Sequence, residues 1–385
     1  MTTPEAGTAA PAHLLSRGAV ILTAMMFGLT YSLSAALIAL DLAGRGISDA
    51  VIGANAAMHA VGVLATALVL PRLVASVGPR RLILTALGLA ALTLMAFPLT
   101  PAIWLWFPLR FVLGAASESL FVLSETWINS LSTEQTRARA MAAYTAALSI
   151  GFALGPLILS LVGAQGILPY AVGSGMAVVA ALFVASPKVE APVFEAPSHS
   201  NPMHYLRLAP LAMSATVLNA AIEAAGLSFL ALYAINLGWA EQDAARLMSC
   251  MMVGAIVLQL PIGWLGDMMN RRHLVIALAA TATGGALLWP LALQSPLATY
   301  GLLFLWGGAF VGIYTIMLTV VGSRFQGSAL VGIYAVMGLT WGGGALIGPL
   351  AAGFAMQLTL HGLALFAAFA CGLFMLAALF IREES

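Results

Sequence analysis

The sequence predicts an all-α membrane protein of twelve transmembrane helices, arranged as two pseudo-symmetric six-helix bundles. Three observations carry that reading. Nearly uncharged runs of 18 or more residues recur along the whole chain, the length a helix needs to cross hydrocarbon. Only one connection between those runs is long. Two motif pairs then repeat at almost the same spacing, one copy in each half of the chain.

Hydrophobic residues fill 62% of the 385 positions and charged residues 8%, where a soluble domain gives roughly a quarter to charge. The start, "MTTPEAGTAAPAHLLSR", is polar, and the apolar run after Arg17 is longer than a secretory core. It reads as an uncleaved first span. Hydropathy and turn residues place the first six spans near 17–40, 50–71, 82–100, 103–127, 137–162 and 167–186. The second six fall near 208–235, 244–265, 273–294, 298–322, 327–353 and 359–381. Between the sets lies "PKVEAPVFEAPSHSNPMHYLR", 187–207, with Pro187, Pro192, Pro197 and Pro202. Proline at that density disfavours a continuous helix. The expected organisation is an N-terminal half at 1–186, a cytoplasmic linker at 187–207 and a C-terminal half at 208–385.

Positive charge sets the orientation. With the N-terminus inside, Arg17, Arg72, Arg80, Arg81, Arg137, Arg139, Lys188, Arg207, Arg271, Arg272, Arg324 and Arg382 are all cytoplasmic. Arg45 and Arg246 fall outside, and Arg110 lies within the membrane. Both termini are therefore expected in the cytoplasm, the protein in the cytoplasmic (inner) membrane.

Other classes are disfavoured. The net charge of +1 and the lack of long basic runs give no sign of nucleic acid. Cys250 and Cys371 both sit in apolar segments, so no disulfide framework, metal site or cofactor is indicated. The phosphate-binding pattern G-x-x-x-x-G-K-[ST] is absent, as is H-E-x-x-H, and no nucleophile–base pairing marks an enzyme.

The two halves resemble each other. "PRLVASVGPRR" at 71–81 occupies the same connection as "GWLGDMMNRRH" at 263–273, an offset of 192. "GFALGP" at 151–156 matches "GALIGP" at 344–349, an offset of 193. Six-helix halves related about the membrane normal are the architecture of a rocking transporter.

These motifs resemble those of the major facilitator superfamily, and the resemblance runs from about 17 to 381. "GWLGDMMNRRH" is similar to its signature G-x-L-x-D-x-x-G-R-[RK]: Gly263, Leu265, Asp267, Arg271 and Arg272 fit, with Asn270 in place of glycine. In the first half Gly78, Arg80 and Arg81 remain, but Pro71 and Ala75 replace the first glycine and the aspartate. "RFVLG" at 110–114 resembles the fourth-helix pattern R-x-x-x-G. "GFALGP" resembles the fifth-helix pattern G-x-x-x-G-P common among antiporters. The chain looks most like the YcaD-like branch, which implies an acidic residue at Glu125 and none at Glu118. The resemblance also implies that the first, fourth, seventh and tenth helices line a central cavity, and that Asp267 takes part in gating.

The fourth helix is where charge meets hydrocarbon. An ionised group at a helix centre costs roughly 2.5–3.5 kcal/mol, so it persists where it faces a cavity or a partner. With Arg110 at zero, Gly114, Glu118 and Glu125 fall near about 40°, 80° and 60° around the helix. Glu118 either carries a proton between two open states or bonds a neighbouring helix for rigidity. Glu125 either couples and gates or bonds cytoplasmic groups such as Arg137 and Arg139. Arg110 pairs with Glu118 when the site is empty, holds an anionic solute group, or is a structural arginine. On the seventh helix Asn219 and Glu223 share one face, with a solute, proton or structural role open. Tyr31 and Tyr314 are candidate wall residues. Trp341 and Tyr334 read as packing, and His59 as an internally bonded histidine.

Asp267 either accepts bonds from a helix N-terminus and pairs with arginine, latching the outward-facing state, or is a solvated loop charge. "STEQ" at Ser132–Gln135 reads as a capping box opening the fifth helix. Gly151 and Gly155, and Gly344 and Gly348, let helix backbones approach closely, while Pro156 and Pro349 permit kinks. The expected function is secondary active transport of a small organic solute by alternating access. Protons are the coupling ion, the unit is a monomer, and export of an amphipathic or cationic compound is favoured over uptake. Uptake of a metabolite and a lipid-moving or signalling protein on this scaffold are the alternatives.

Overall fold

The computed structural model describes residues 9–131, 134–189, 208–325 and 327–381. Those residues form thirteen α-helices and one 3-10 turn, with no strand among them. The first six helices are α1 (Ala9–Gly44), α2 (Asp49–Val77), α3 (Pro79–Leu99), α4 (Trp106–Ser130), α5 (Glu134–Val162) and α6 (Leu168–Val184). Then follow α7 (Pro210–Asn236), α8 (Glu241–Val257), α9 (Gln259–Met268), α10 (Arg271–Ala292), α11 (Pro296–Arg324), α12 (Gly327–Leu358) and α13 (Gly362–Phe380). Eleven stretches are long and apolar enough to cross a membrane, α8 and α9 counting as one. The twelfth, α6, is apolar but only 17 residues long. The linker expected at 187–207 lies outside the described residues beyond Val189, as does Ser132 of the capping box.

Local chemistry sets the boundaries. Pro79, Pro169, Pro210 and Pro296 stand in the first turns of α3, α6, α7 and α11, where a missing N–H costs nothing. Gly78, at φ +87°, makes the break between α2 and α3, a conformation open to glycine. The corresponding break before α10 is built differently. Asn270 has φ −59°, and its side chain accepts hydrogen bonds from the amides of Arg272 (2.9 Å) and His273 (3.3 Å). Asparagine thus stands where the family pattern has glycine because this turn uses an N-cap. The eighth span is interrupted at Leu258, three residues before Pro261. There the Gln259 side chain donates to the Ala255 carbonyl (2.6 Å) and accepts from Thr315 Oγ1 (2.6 Å), so a side chain partly replaces the helical ladder.

The chain forms two compact units. The first comprises Met1–Ser34, Val61–Ile158 and Gln165–Pro197. Its core includes Phe97, which meets Trp106 edge-on at 5.1 Å and stacks on Tyr170 at 6.3 Å. Here α5 crosses α1 without side-chain spacing: a Cβ on Gly151 would overlap the Met25 carbonyl, and one on Gly155 would overlap Ser32 and Leu33. Gly28 of α1 meets Leu148 and Phe152 in the same way.

The second unit comprises Ala35–Ala60, Leu159–Ala164 and Ser198–Ser385. In it α12 crosses α7 as α5 crosses α1, with Gly344 against the Val217 carbonyl and Gly348 against the Ala221 carbonyl. Trp306 stacks on Phe310 (4.9 Å), meets Trp289 (4.7 Å) and donates to the Ala282 carbonyl (2.7 Å). Gly53 of α2 lies against the Pro349 carbonyl, Gly353 against that of Asp49, and the amide of Ala164 donates to Glu241 Oε1 at 2.7 Å.

One contact recurs in both units. Arg80 donates to the carbonyls of Ala185 (2.8 Å) and Ser186 (2.6 Å), at the end of α6. Arg272 donates to those of Ala378 (3.2 Å) and Leu379 (2.9 Å), at the end of α13. Each arginine satisfies orphan carbonyls at a negative helix end. The donors are 192 residues apart and the acceptors 193, the spacing of the sequence repeat.

Candidate functional site

The fourth span carries its three charged groups at different depths along one side of the helix. Arg110 is 2% exposed, and its Nη1 donates to Ser34 Oγ of α1 at 2.9 Å. Its Nε has no hydrogen-bond partner, and it forms no ion pair with a described residue. The pairing with Glu118 considered from the sequence is absent. Eight residues of helix rise separate the two groups by about 12 Å, and Arg110 turns instead into the helix-packed interior of the first unit. A buried guanidinium beside one hydroxyl is a costly group to keep.

Glu118 is half-buried and makes no hydrogen bond or ion pair with any described residue. Glu125, two turns further along α4, is also half-buried. Beside it, Ser124 Oγ and Tyr144 Oη of α5 lie 3.3 Å apart. The side chains of Arg137 and Arg139, offered as its partners, lie outside the described residues. Ser117, next to Glu118, is 1% exposed and its hydroxyl has no hydrogen-bond partner among the described residues.

Between the two carboxylates stands Phe121, three residues after Glu118 and four before Glu125, hence on the same face of α4. Its ring lies 5.0 Å from that of Phe27 on α1. Phe27 in turn stacks with Tyr31 (6.2 Å) and meets Phe152 of α5 edge-on (5.8 Å), and Tyr31 meets Phe152 at 5.7 Å. Four rings from three helices therefore adjoin the carboxylate face. Tyr31, named from the sequence as a wall residue, is 4% exposed and belongs to this cluster. Phe27, Phe121 and Phe152 were not singled out from the sequence. The available signal was a phenylalanine at helical spacing from both acids.

In the second unit Asn219 Nδ2 donates to Glu223 Oε2 at 3.3 Å, the i, i+4 pair expected on α7. Asn219 is 7% exposed and its Oδ1 has no hydrogen-bond partner among the described residues. The adjacent face of α7 packs Ala220 and Ala224 against Ala60 and Ala345, with Trp341 beside them. His59 is 3% exposed, Tyr314 is half-buried on α11, and the side chain of Tyr334 lies outside the described residues. Thr315 and Gln259 form a polar contact that the sequence reading missed.

The gating residues are arranged differently from expectation. Asp267 is exposed in the last turn of α9 and pairs with neither Arg271 nor Arg272. Both guanidinium groups are already engaged: Arg271 with the Gly266 carbonyl (3.4 Å) and Ser323 Oγ (3.1 Å), Arg272 with the end of α13. Gly263 has open space where a Cβ would stand. Pro156 and Pro349 lie inside α5 and α12. Among the described residues no group of three or more His, Cys, Asp or Glu side chains could hold a metal ion.

Comparison with known proteins identifies the family and the fold. The Major Facilitator Superfamily model matches residues 20–203 and 211–385. The MFS-type transporter YfkF of Bacillus subtilis, itself uncharacterized, is 26% identical over 346 residues, 88% of each chain. The uncharacterized MFS-type transporter YcaD of Escherichia coli is 24% identical over 341 residues, 88% of this chain and 87% of its own. A solved variant of the nucleoside transporter NupG superposes with a TM-score of 0.81 at 14% identity, covering 95% of this chain and 99% of that one. The D-xylose-proton symporter does so with a TM-score of 0.74 at 13% identity, covering 96% and 98%. The chain belongs to the Major Facilitator Superfamily of transporters, and its twelve-span fold is that superfamily's.

Proposed function

We propose that the protein is a proton-coupled secondary transporter that moves a small organic solute across the cytoplasmic membrane by alternating access. The observation that carries this reading is Glu118: a half-buried carboxylate on a membrane-spanning helix that makes no hydrogen bond or ion pair with a described residue. Such a group is retained against hydrocarbon when it exchanges protons or meets cargo. Glu223, which accepts a hydrogen bond from Asn219, is its counterpart on α7. The halves 1–186 and 208–385 rock about the solute, with the linker and both termini on the cytoplasmic side. The direction is export, in keeping with the two G-x-x-x-G-P segments. The D-xylose-proton symporter, a neighbour in fold, is named for the same coupling ion.

A thermal-shift screen of the purified protein against metabolites and drugs first identifies a ligand. Proteoliposomes are then tested for movement of that ligand under an imposed pH gradient. Glu118→Gln is expected to lose gradient-driven movement while keeping ligand–ligand exchange across the membrane. Gradient-driven movement at the wild-type rate in that variant overturns the coupling role.

A further inference from the structure

The carboxylate face of α4 also has a chemical preference. Glu118 supplies a negative group with no positive partner among the described residues, and Phe121 lies one turn away on the same face. Phe121 is in contact with Phe27, which joins it to Tyr31 and Phe152, so rings from α1, α4 and α5 converge beside the carboxylate. Phe121 and Phe152 are half-buried, leaving part of each ring uncovered, whereas Phe27 and Tyr31 are packed behind them. Glu125 places a second carboxylate on the far side of Phe121. The only guanidinium of α4, Arg110, is two helical turns away and bonded to Ser34.

Aromatic faces carry negative quadrupole charge, and a desolvated cation gains from both ring and carboxylate. An anion would be repelled by both, and a neutral solute could stack on the rings but would leave the carboxylate's charge unmatched. We propose that this face binds a hydrophobic organic cation, an onium or protonated amine whose charge meets Glu118 and whose apolar groups lie on Phe121 and Phe152. The inference rests on the transporter reading and specifies the solute class for it.

Tetraphenylphosphonium is the probe, and tetraphenylborate, of like shape and opposite charge, is the control. Binding of each to detergent-purified protein is measured by calorimetry. The phosphonium is expected to bind and the borate neither to bind nor to compete. Glu118→Gln should weaken the phosphonium by about tenfold or more and Phe121→Ala by about threefold or more. Glu118→Asp and Phe121→Trp, which keep charge and ring, should stay within about threefold of wild type. Wild-type elution and thermal unfolding of Glu118→Gln and Phe121→Ala show that their loss of affinity is not misfolding. Equal affinity for the two ions, no phosphonium binding by the folded wild type, or unchanged affinity in both Glu118→Gln and Phe121→Ala overturns the proposal. A cation that binds as expected but drives no proton movement in liposomes leaves the binding site standing and removes the coupling reading alone.

Discussion

Glycine at the crossings of α1 with α5 and of α7 with α12 makes a prediction that can be worked from the geometry. At Gly151 an added Cβ would overlap the backbone carbonyl of Met25, and at Gly348 it would overlap that of Ala221. Neither obstacle is a side chain that can rotate away. Ordinary non-bonded contact is about 3.5 Å, so the two helices must separate by roughly 1 Å along their closest approach. That forfeits packing on both sides of the crossing, and overpacking of this kind costs typically about 1–3 kcal/mol. Gly175 and Gly284 lie inside α6 and α10 with nothing within 4 Å of the same position. There alanine meets open space and recovers up to about 1 kcal/mol of helix propensity. Reversible unfolding of purified Gly151→Ala and Gly348→Ala in mixed micelles should therefore show a loss of about 1–3 kcal/mol. Gly175→Ala and Gly284→Ala should match or exceed wild type. If all four variants unfold alike, glycine at these crossings is not there for backbone approach.

Other predictions concern polar contacts. Removing Arg80 or Arg272 strips a helix end of two carbonyl partners, and because both sites are partly exposed the expected cost is about 1 kcal/mol each; faster amide exchange near Ala185 or Ala378 would report it, and unchanged exchange would refute the clamp. Asn270→Ala should destabilise by about 1 kcal/mol through the lost cap, and Asn270→Gly by only a few tenths, as read from thermal unfolding. Ser34→Ala leaves the buried Arg110 donor unmet and should cost about 1–3 kcal/mol, whereas Arg110→Met removes charge and need together and should cost less. A larger loss in Arg110→Met would mean that the guanidinium has further partners.

The spans were legible because each depends on a local property, the length of an apolar run, and the structure returns most of their limits within a few residues, although α1 begins at Ala9 and α2 runs on to Val77. The repeat was legible for the same reason: "GFALGP" and "GALIGP" fold into equivalent crossings because glycine spacing alone decides how near two backbones come. What the sequence did not reveal was pairing at long range. Nothing local tells Arg272 that its acceptors are carbonyls 106 and 107 residues away, since every residue has a carbonyl. Two arginines beside Asp267 read as partners by proximity in sequence, yet helix ends with unmet acceptors hold them instead. Glu118 and Glu125 were found through charge, which is rare in such a chain. Phe121 between them was not, because a phenylalanine among so many apolar residues looks like any other.

Asp267 is left as a reserve of binding capacity. Its two arginine neighbours are bonded elsewhere, so the carboxylate holds no salt bridge to either that must break when this conformation is abandoned. A donor that meets it after a rearrangement adds the net worth of that bond once water is displaced, with no bond to a described residue to break first. Under the proposed alternating-access reading, that bond is one of the differences between the two forms that a ligand or proton would work against.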